Sequence, residues 1–213
     1  MRTPRAVIVT VIAAATLTAC RTGGQNAGPW SPGPTATGPA VSTAPPSADS
    51  QTKRPSAGSL RQVHDPGEVT GTIPSSCTYR DGGHLPDPSC TPGAIDPAVT
   101  QANIRSTICR SGYTKTVRPP ESETERFKFD QAYPAYGVRH STRTELDHLV
   151  SLELGGANDA SNLWPQRPPT PNPKDDVENA VHHAVCSGRV TLAAAQQAIA
   201  SNWTTAETRL GLR

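Results

Sequence analysis

Two apolar runs and the helix signal that follows them limit the fold of this chain more than any other feature. The runs TELDHLVSLEL and SNLWPQ are β-compatible, and GGANDA between them has the Gly, Asn and Asp residues of a hairpin turn. Beyond a Pro-rich loop, NPKDDVENAVHHAVCSG offers Asn172 as a helix N-cap, Pro173 at the first helical position and Gly188 at the end. The sequence therefore predicts a β-hairpin that is followed by a helix.

Two further helices are predicted upstream of the hairpin. In AIDPAVTQANIRSTICRSG, Asp96 has the N-cap position and a Pro follows it, which predicts a helix from about residue 97 to residue 109. In PPESETERFKFDQAY, Ser122 and Glu125 have the spacing of a capping box. This second pattern predicts a short helix that Phe127 anchors in the core.

One more helix is predicted at the end of the chain. TLAAAQQAIASNW has the length of a helix, and its Leu192 and Ile199 are expected to face inward. The elements then follow the order helix, helix, hairpin, helix, helix. The predicted fold class is α+β and mostly helical, with a hairpin-helix core and flanking helices.

The N-terminal part has the composition of an export signal and a tether. MRTPRAVIVTVIAAATLTAC has two arginines before a short apolar run and ends in LTAC, which resembles the lipobox of bacterial lipoproteins. We expect residues 1–19 to be a signal peptide and Cys20 to carry the lipid that anchors the chain at the extracytoplasmic face of the cell membrane. The alternatives are an uncleaved anchor or a chance Cys near a conventional cleavage site. Residues 20–70, rich in Pro, Gly, Ser and Thr, are predicted to be a disordered tether, and residues 71–213 the folded domain.

Four cysteines follow Cys20, and an even number in an exported chain favours two disulfides. They are Cys77, Cys90, Cys109 and Cys186. Sequence alone leaves three pairings open. Closure of the short turn-rich segment favours Cys77 with Cys90, which leaves Cys109 for Cys186. A zinc site formed by all four thiolates is the alternative, but the cysteines are scattered and form no C-x2-C pair.

The hairpin carries polar residues and glycines at a specific spacing. They are Asp147, His148, Gly155, Gly156, Asn162 and Leu163. This register resembles the pattern D-H-x-x-P-x-x-x-G-G-x-x-x-x-x-N-L of the HNH endonuclease family, with Ser151 in the place of the Pro. The resemblance covers a motif core of roughly residues 145–186. It implies a ββα-metal fold, in a small exported bacterial lipoprotein variant of the family.

The resemblance also implies roles for the polar residues. His148 would be the general base that activates water for phosphodiester hydrolysis, which suits an imidazole whose ordinary pKa is near 6.5. Asp147 would bind a divalent metal ion, and Asn162 would hydrogen-bond across the hairpin loop to orient His148. Oxygen ligands favour Mg²⁺ or Mn²⁺ as the cofactor, with Zn²⁺ as a third option.

The second metal ligand is the point at which the sequence departs from the family. Where many members place a metal-binding His, this chain has Pro171 and then Asn172. Asn172 either supplies a carbonyl oxygen to the metal or caps the following helix. In a regular strand, moreover, Asp147 and His148 point to opposite faces, so that both reach one metal only where the strand twists or ends.

Basic residues flank the motif, but the folded part as a whole is not basic. Arg143, Arg167 and Lys174 are the candidates for contacts with nucleic-acid phosphates. From Gly71 onward, however, acidic residues outnumber basic residues by one, which disfavours tight non-specific binding of nucleic acid.

The sequence predicts a membrane-anchored, extracytoplasmic, metal-dependent HNH-like nuclease that acts on DNA or RNA. The alternative is a catalytically inactive HNH-like scaffold that binds a partner in the cell envelope. A hydrolase with a nucleophilic Ser or Cys is disfavoured because the chain has no G-x-S-x-G or similar elbow.

Overall fold

The computed structural model describes residues 59–64, 67–140, 143–169 and 171–213. The predicted signal peptide, the predicted lipidation site Cys20 and most of the predicted tether lie outside these residues. Within the described ranges, no helix combines the length and the apolar character that crossing a membrane requires.

The fold mixes helices with two small sheets. The strands are β1 (Arg61–Gln62), β2 (Ala94–Ile95), β3 (Glu145–His148) and β4 (Leu163–Gln166). The α-helices are α1 (Tyr113–Val117), α2 (Glu121–Phe127), α3 (Tyr133–Ala135), α4 (Pro173–Cys186), α5 (Leu192–Asn202) and α6 (Ala206–Arg209). A π-helical segment, Lys128–Ala132, joins α2 to α3. An α+β fold class therefore describes the chain.

The hairpin is formed by β3 and β4, which are antiparallel. His148 pairs with Leu163 and Asp147 with Trp164. The first strand ends at His148, so the prediction that the β-run continues to Leu154 is wrong. The connection of residues 149–162 instead contains two short 3-10 turns, because side chains within it bind its own backbone.

The predicted helix from residue 97 to residue 109 is wrong. This segment forms successive turns in which most backbone hydrogen bonds reach back only three residues. Asn103 explains part of the difference, because its side chain accepts a hydrogen bond from the Thr100 N–H and donates one to the Ala98 carbonyl. Such local bonds compete with the helical pattern. Asp96 still caps the first turn by accepting a hydrogen bond from the Ala98 N–H.

The second predicted helix forms, but without its predicted capping box. Helix α2 begins at Glu121, one residue before Ser122, and its N-cap Pro120 makes no side-chain capping bond. The backbone carbonyl of Pro120 accepts the N–H groups of Glu123 and Thr124 instead. Phe127 is buried, as predicted.

The two C-terminal helices begin where the sequence predicts. The Asn172 side chain accepts a hydrogen bond from the Lys174 N–H, and the Asp175 carboxylate accepts one from the Asn172 N–H, so α4 opens with a capping box. In α5 both Leu192 and Ile199 are buried. The core packs α4 and α5 against the hairpin loop, and Trp164 of β4 is fully buried in the same core, beside the ring of Tyr79.

Two disulfides brace the fold, as predicted. They join Cys77 to Cys90 and Cys109 to Cys186, across 13 and 77 residues of sequence. The second bond ties the turns before α1 to the last residue of α4. The zinc alternative for these four cysteines is thereby wrong.

Ordered contacts begin upstream of Gly71, where the sequence places the start of the folded domain. Strand β1 pairs in parallel with β2, and the Thr70 N–H donates to the Asn158 carbonyl at 2.9 Å. The fold therefore includes residues upstream of Gly71, which the sequence alone places in the tether.

The two disulfides are expected to contribute unequally to stability. Loop-closure entropy predicts that replacing Cys109 and Cys186 by Ser lowers the free energy of unfolding by about 4.5 kcal/mol, against about 3 kcal/mol for Cys77 and Cys90. Urea unfolding followed by circular dichroism measures both double variants. Equal losses, or a larger loss at the shorter loop, would contradict this expectation.

Candidate active site

A buried lysine lies between the hairpin and α4. Lys174, in the first turn of α4, has a side chain that is 0% exposed. Its Nζ donates to Asp147 Oδ2 at 2.7 Å, to the His148 carbonyl at 2.7 Å and to Glu178 Oε1 at 2.5 Å. An ammonium group has three N–H donors, so all of them are used. The buried charge is therefore both paired and fully hydrogen-bonded.

The charged groups of this cluster shift one another's pKa values. Burial lowers the pKa of Lys174, but attraction and hydrogen bonds from Asp147 and Glu178 outweigh it, and the pKa is raised overall. Burial raises the pKa of Glu178 to about 8, against the opposing attraction of Lys174, and repulsion from Asp147 adds to the rise. Two carboxylates share one ammonium, so Lys174 keeps its proton and Glu178 binds an additional one readily.

His148 has a fixed ring. It is only 7% exposed, and its Nε2 lies 2.7 Å from Asn158 Oδ1. The Asn158 amide nitrogen donates to the Val117 carbonyl, so its oxygen must be the acceptor and Nε2 of His148 carries the proton. The basic atom is then Nδ1, which has no hydrogen-bond partner among the described residues. Burial, more than any other influence, lowers the pKa of His148, and this keeps the ring neutral.

Asn162 holds the loop that follows His148. Its Oδ1 accepts the Val150 N–H at 2.9 Å, and its Nδ2 donates to the carbonyls of Val150 and Ala157, both at 2.9 Å. Its own carbonyl accepts the Leu149 N–H at 2.7 Å. These bonds run across the hairpin loop. They fix the backbone on both sides of the turn beside His148.

The contacts of Asn172 are those of a cap. Its Oδ1 accepts the Lys174 N–H at 2.8 Å, and its Nδ2 donates to Glu145 Oε1 at 2.9 Å. Asp147, the other expected ligand, directs one carboxylate oxygen to Lys174. One Asp147 oxygen and the Asn172 oxygen are thus already bound by Lys174, and the Asp147–Asn172 pair does not fit a divalent ion.

Among the described residues, one group of three His, Cys, Asp or Glu side chains has its donor atoms within 4.8 Å of one another, and it consists of Cys109, His182 and Cys186. Two of these are joined in a disulfide. A disulfide sulfur is not the thiolate that metals bind, so this group offers no metal site. The carboxylates around His148 do not converge in this way.

Two clefts meet at His148. The α4 cleft has a volume of about 360 Å³ and lies between the hairpin, α1 and α4; the α2 cleft has a volume of about 460 Å³ and lies between the hairpin and α2. Both are lined by His148, Arg118, Glu145 and Leu146. Arg118 is the exposed residue that follows α1, and its positive charge acts on the pKa of His148. A base and a cation therefore share the wall between the clefts.

The basic residues that the sequence singled out lie elsewhere. Arg143 is exposed before β3, and the Arg167 guanidinium stacks over the Tyr79 ring, 5.0 Å from its centroid. Neither lines the α2 or α4 cleft, and Lys174 is buried. Arg118, which lines both clefts, comes from a segment about thirty positions before the motif, and no local pattern in the sequence marks it.

Comparison with known proteins adds no relative to this picture. No family model matches the chain, and neither a curated protein nor a solved structure does.

Asn162 is expected to be essential to the stability of the loop. Replacing it by Ala leaves the buried Val150 N–H and two carbonyls without their partners, which is expected to lower the free energy of unfolding by about 3 kcal/mol. Asn179→Ala, at an exposed position of α4, is the matched control and is expected to change it by less than about 0.5 kcal/mol. Equal stability of the two variants in urea would show that these bonds do not hold the loop.

Proposed function

We propose that the chain hydrolyses phosphodiester bonds of DNA or RNA, with His148 as the general base and Arg118 as the cation that binds the phosphate. The observation that carries the proposal is the fixed, neutral ring of His148, with its protonated Nε2 on Asn158 and its Nδ1 unpartnered within the described part of the chain. Its position beside Arg118 supports the same reading. So does the order of hairpin and helix, which is that of the ββα unit in HNH endonucleases.

The chemistry needs a base and a positive charge. Nδ1 of His148 takes a proton from a water molecule, whose oxygen attacks phosphorus as the bond to the leaving oxygen breaks. The leaving oxygen is protonated by solvent. Arg118 offers paired N–H donors to the phosphate oxygens, on which negative charge concentrates during the attack. No step passes through a metal, because the Asp147–Asn172 pair does not fit one.

Charge favours one cleft for the substrate. The α4 cleft is lined by the carboxylates of Glu145, Asp147, Glu153, Asp175 and Glu178, with Arg118 as its one Lys or Arg among the described residues. The α2 cleft has Arg118 and Lys128 against Glu121, Glu125 and Glu145. The charged side chains of the α2 cleft therefore repel a polyanion less than those of the α4 cleft do. We therefore propose that the scissile phosphate reaches His148 through the α2 cleft.

The proposed location follows from the N-terminal sequence. LTAC at residues 17–20 supports lipidation of Cys20 and attachment to the extracytoplasmic face of the cell membrane. Two disulfides in the folded part agree with an oxidising compartment.

The full-length chain is expected to nick plasmid DNA or cleave single-stranded RNA. His148→Gln keeps a donor for Asn158 but has no basic atom, and is expected to lower the rate about 100-fold or more. Arg118→Gln is expected to lower it about 100-fold, whereas Arg143→Gln, at an exposed arginine outside both clefts, leaves it unchanged. Cleavage of labelled substrates, in EDTA and in separate Mg²⁺, Mn²⁺ and Zn²⁺ buffers, measures these rates.

Two results would overturn the proposal. Equal inertness of the wild-type chain and His148→Gln in every buffer would leave the catalytically inactive, envelope-binding scaffold as the better description. A rate that falls with Arg143→Gln but not with Arg118→Gln would place the substrate outside the two clefts.

A further inference from the structure

The surroundings of Lys174 Nζ have the composition of a cation site. The three oxygens that it contacts come from two carboxylates, on Asp147 and Glu178, and from the backbone carbonyl of His148. They belong to β3 and α4, which the ammonium group joins. Carboxylate and carbonyl oxygens are the ligands that Mg²⁺, Mn²⁺ and Ca²⁺ take in proteins. In this chain an ammonium group fills the position.

The side chain also excludes a second cation. Lys174 is 0% exposed, and its three N–H groups point at the three oxygens that a metal would need. An ion that contacted the same oxygens would lie against the ammonium group, where like charges repel strongly in a site shielded from water. The Lys174 ammonium group and a divalent ion therefore cannot occupy this position at the same time.

We propose that Lys174 is the built-in cation of this hairpin-helix unit, taking the place of a divalent metal between Asp147 and Glu178 and fixing the backbone of His148. The wild-type chain accordingly binds no divalent ion at Asp147. Lys174 is a positioning residue, since its donors are all bound within the protein and none reaches the substrate. That Lys174 takes the place of a metal does not depend on the proposed hydrolysis. That it positions His148 for catalysis rests on the proposed function.

Removal of the amine converts the cluster into a metal site. In Lys174→Ala the carboxylates of Asp147 and Glu178 and the His148 carbonyl keep their places on β3 and α4, but they lose the positive charge that they share. A divalent ion supplies the missing positive charge. Because the ion binds the folded state, it raises the free energy of unfolding of the variant. A lysine with only a general packing role would not be replaced by Mn²⁺ in this way.

The experiment is a Mn²⁺ titration of the full-length chain, in which the electron paramagnetic resonance signal of free Mn²⁺ reports binding. We expect no Asp147-dependent binding to the wild-type chain, and one ion per chain in Lys174→Ala. Adding Asp147→Asn to that variant is expected to weaken binding roughly tenfold or more. Mn²⁺ is also expected to raise the melting temperature of Lys174→Ala but not that of the wild-type chain.

The controls separate folding from binding. Asp176→Asn in the Lys174→Ala background removes an exposed carboxylate of α4 that lines neither cleft and does not contact Lys174, and is expected to leave Mn²⁺ affinity unchanged. Lys174→Gln serves as the test variant if Lys174→Ala does not fold. If neither folds, the wild-type titration alone decides.

A wild-type chain that binds one Mn²⁺ and loses it on Asp147→Asn would overturn the proposal. So would a folded Lys174→Ala or Lys174→Gln variant that neither binds Mn²⁺ nor is stabilised by it. Neither Mn²⁺ binding nor the melting temperature depends on enzymatic turnover. An absence of nuclease activity would therefore refute the proposed function but not the proposal that Lys174 takes the place of a metal.

Discussion

The ammonium group of Lys174 is the contact on which the arrangement of the site depends. It joins a side chain of β3, the backbone at the end of β3 and a side chain of α4 through three hydrogen bonds. Moving a charge from water into the protein interior costs several kcal/mol. Removing one partner of a buried ion pair typically lowers the free energy of unfolding by about 3–5 kcal/mol. The hairpin and helix are therefore held at one separation, and β3 is held at the residue where its regular pairing ends.

His148 is fixed from three directions as a result. Lys174 binds its carbonyl, Asn158 binds its ring, and Asn162 holds the loop that begins immediately after it. The loop is packed so closely that a Cβ on Gly156 would lie 1.8 Å from the Val150 carbonyl oxygen, which explains a glycine at this position. The ring therefore has a fixed orientation, which the proposed role of His148 as a buried base requires.

Local chemistry made part of this structure predictable from the sequence. Asn172 and Pro173 define the start of α4 through bonds within one turn, and the short separation of Cys77 and Cys90 favours their pairing. The segment from residue 97 to residue 109 was mispredicted for an equally local reason, because the Asn103 side chain takes backbone groups that a helix would use. Asp96 caps this segment as predicted, but the segment that follows it is a series of turns and not a helix.

The components of the site were less predictable, because they depend on contacts between distant segments. In the sequence Lys174 is a candidate for a contact with phosphate, and only the packing of α4 on β3 shows that it is buried between carboxylates. Asn158 could be taken for a turn residue, yet its amide defines the tautomer of His148. Arg118 approaches from α1, and no spacing in the sequence connects it to the hairpin.

Anomalous diffraction from crystals of the wild-type chain grown or soaked in Mn²⁺ would test the role of Lys174 most directly. We expect Lys174 Nζ to remain between Asp147, Glu178 and the His148 carbonyl, with no anomalous peak within about 3 Å of Asp147 Oδ2. A Mn²⁺ peak coordinated by Asp147, with the Lys174 side chain turned away, would contradict a built-in cation.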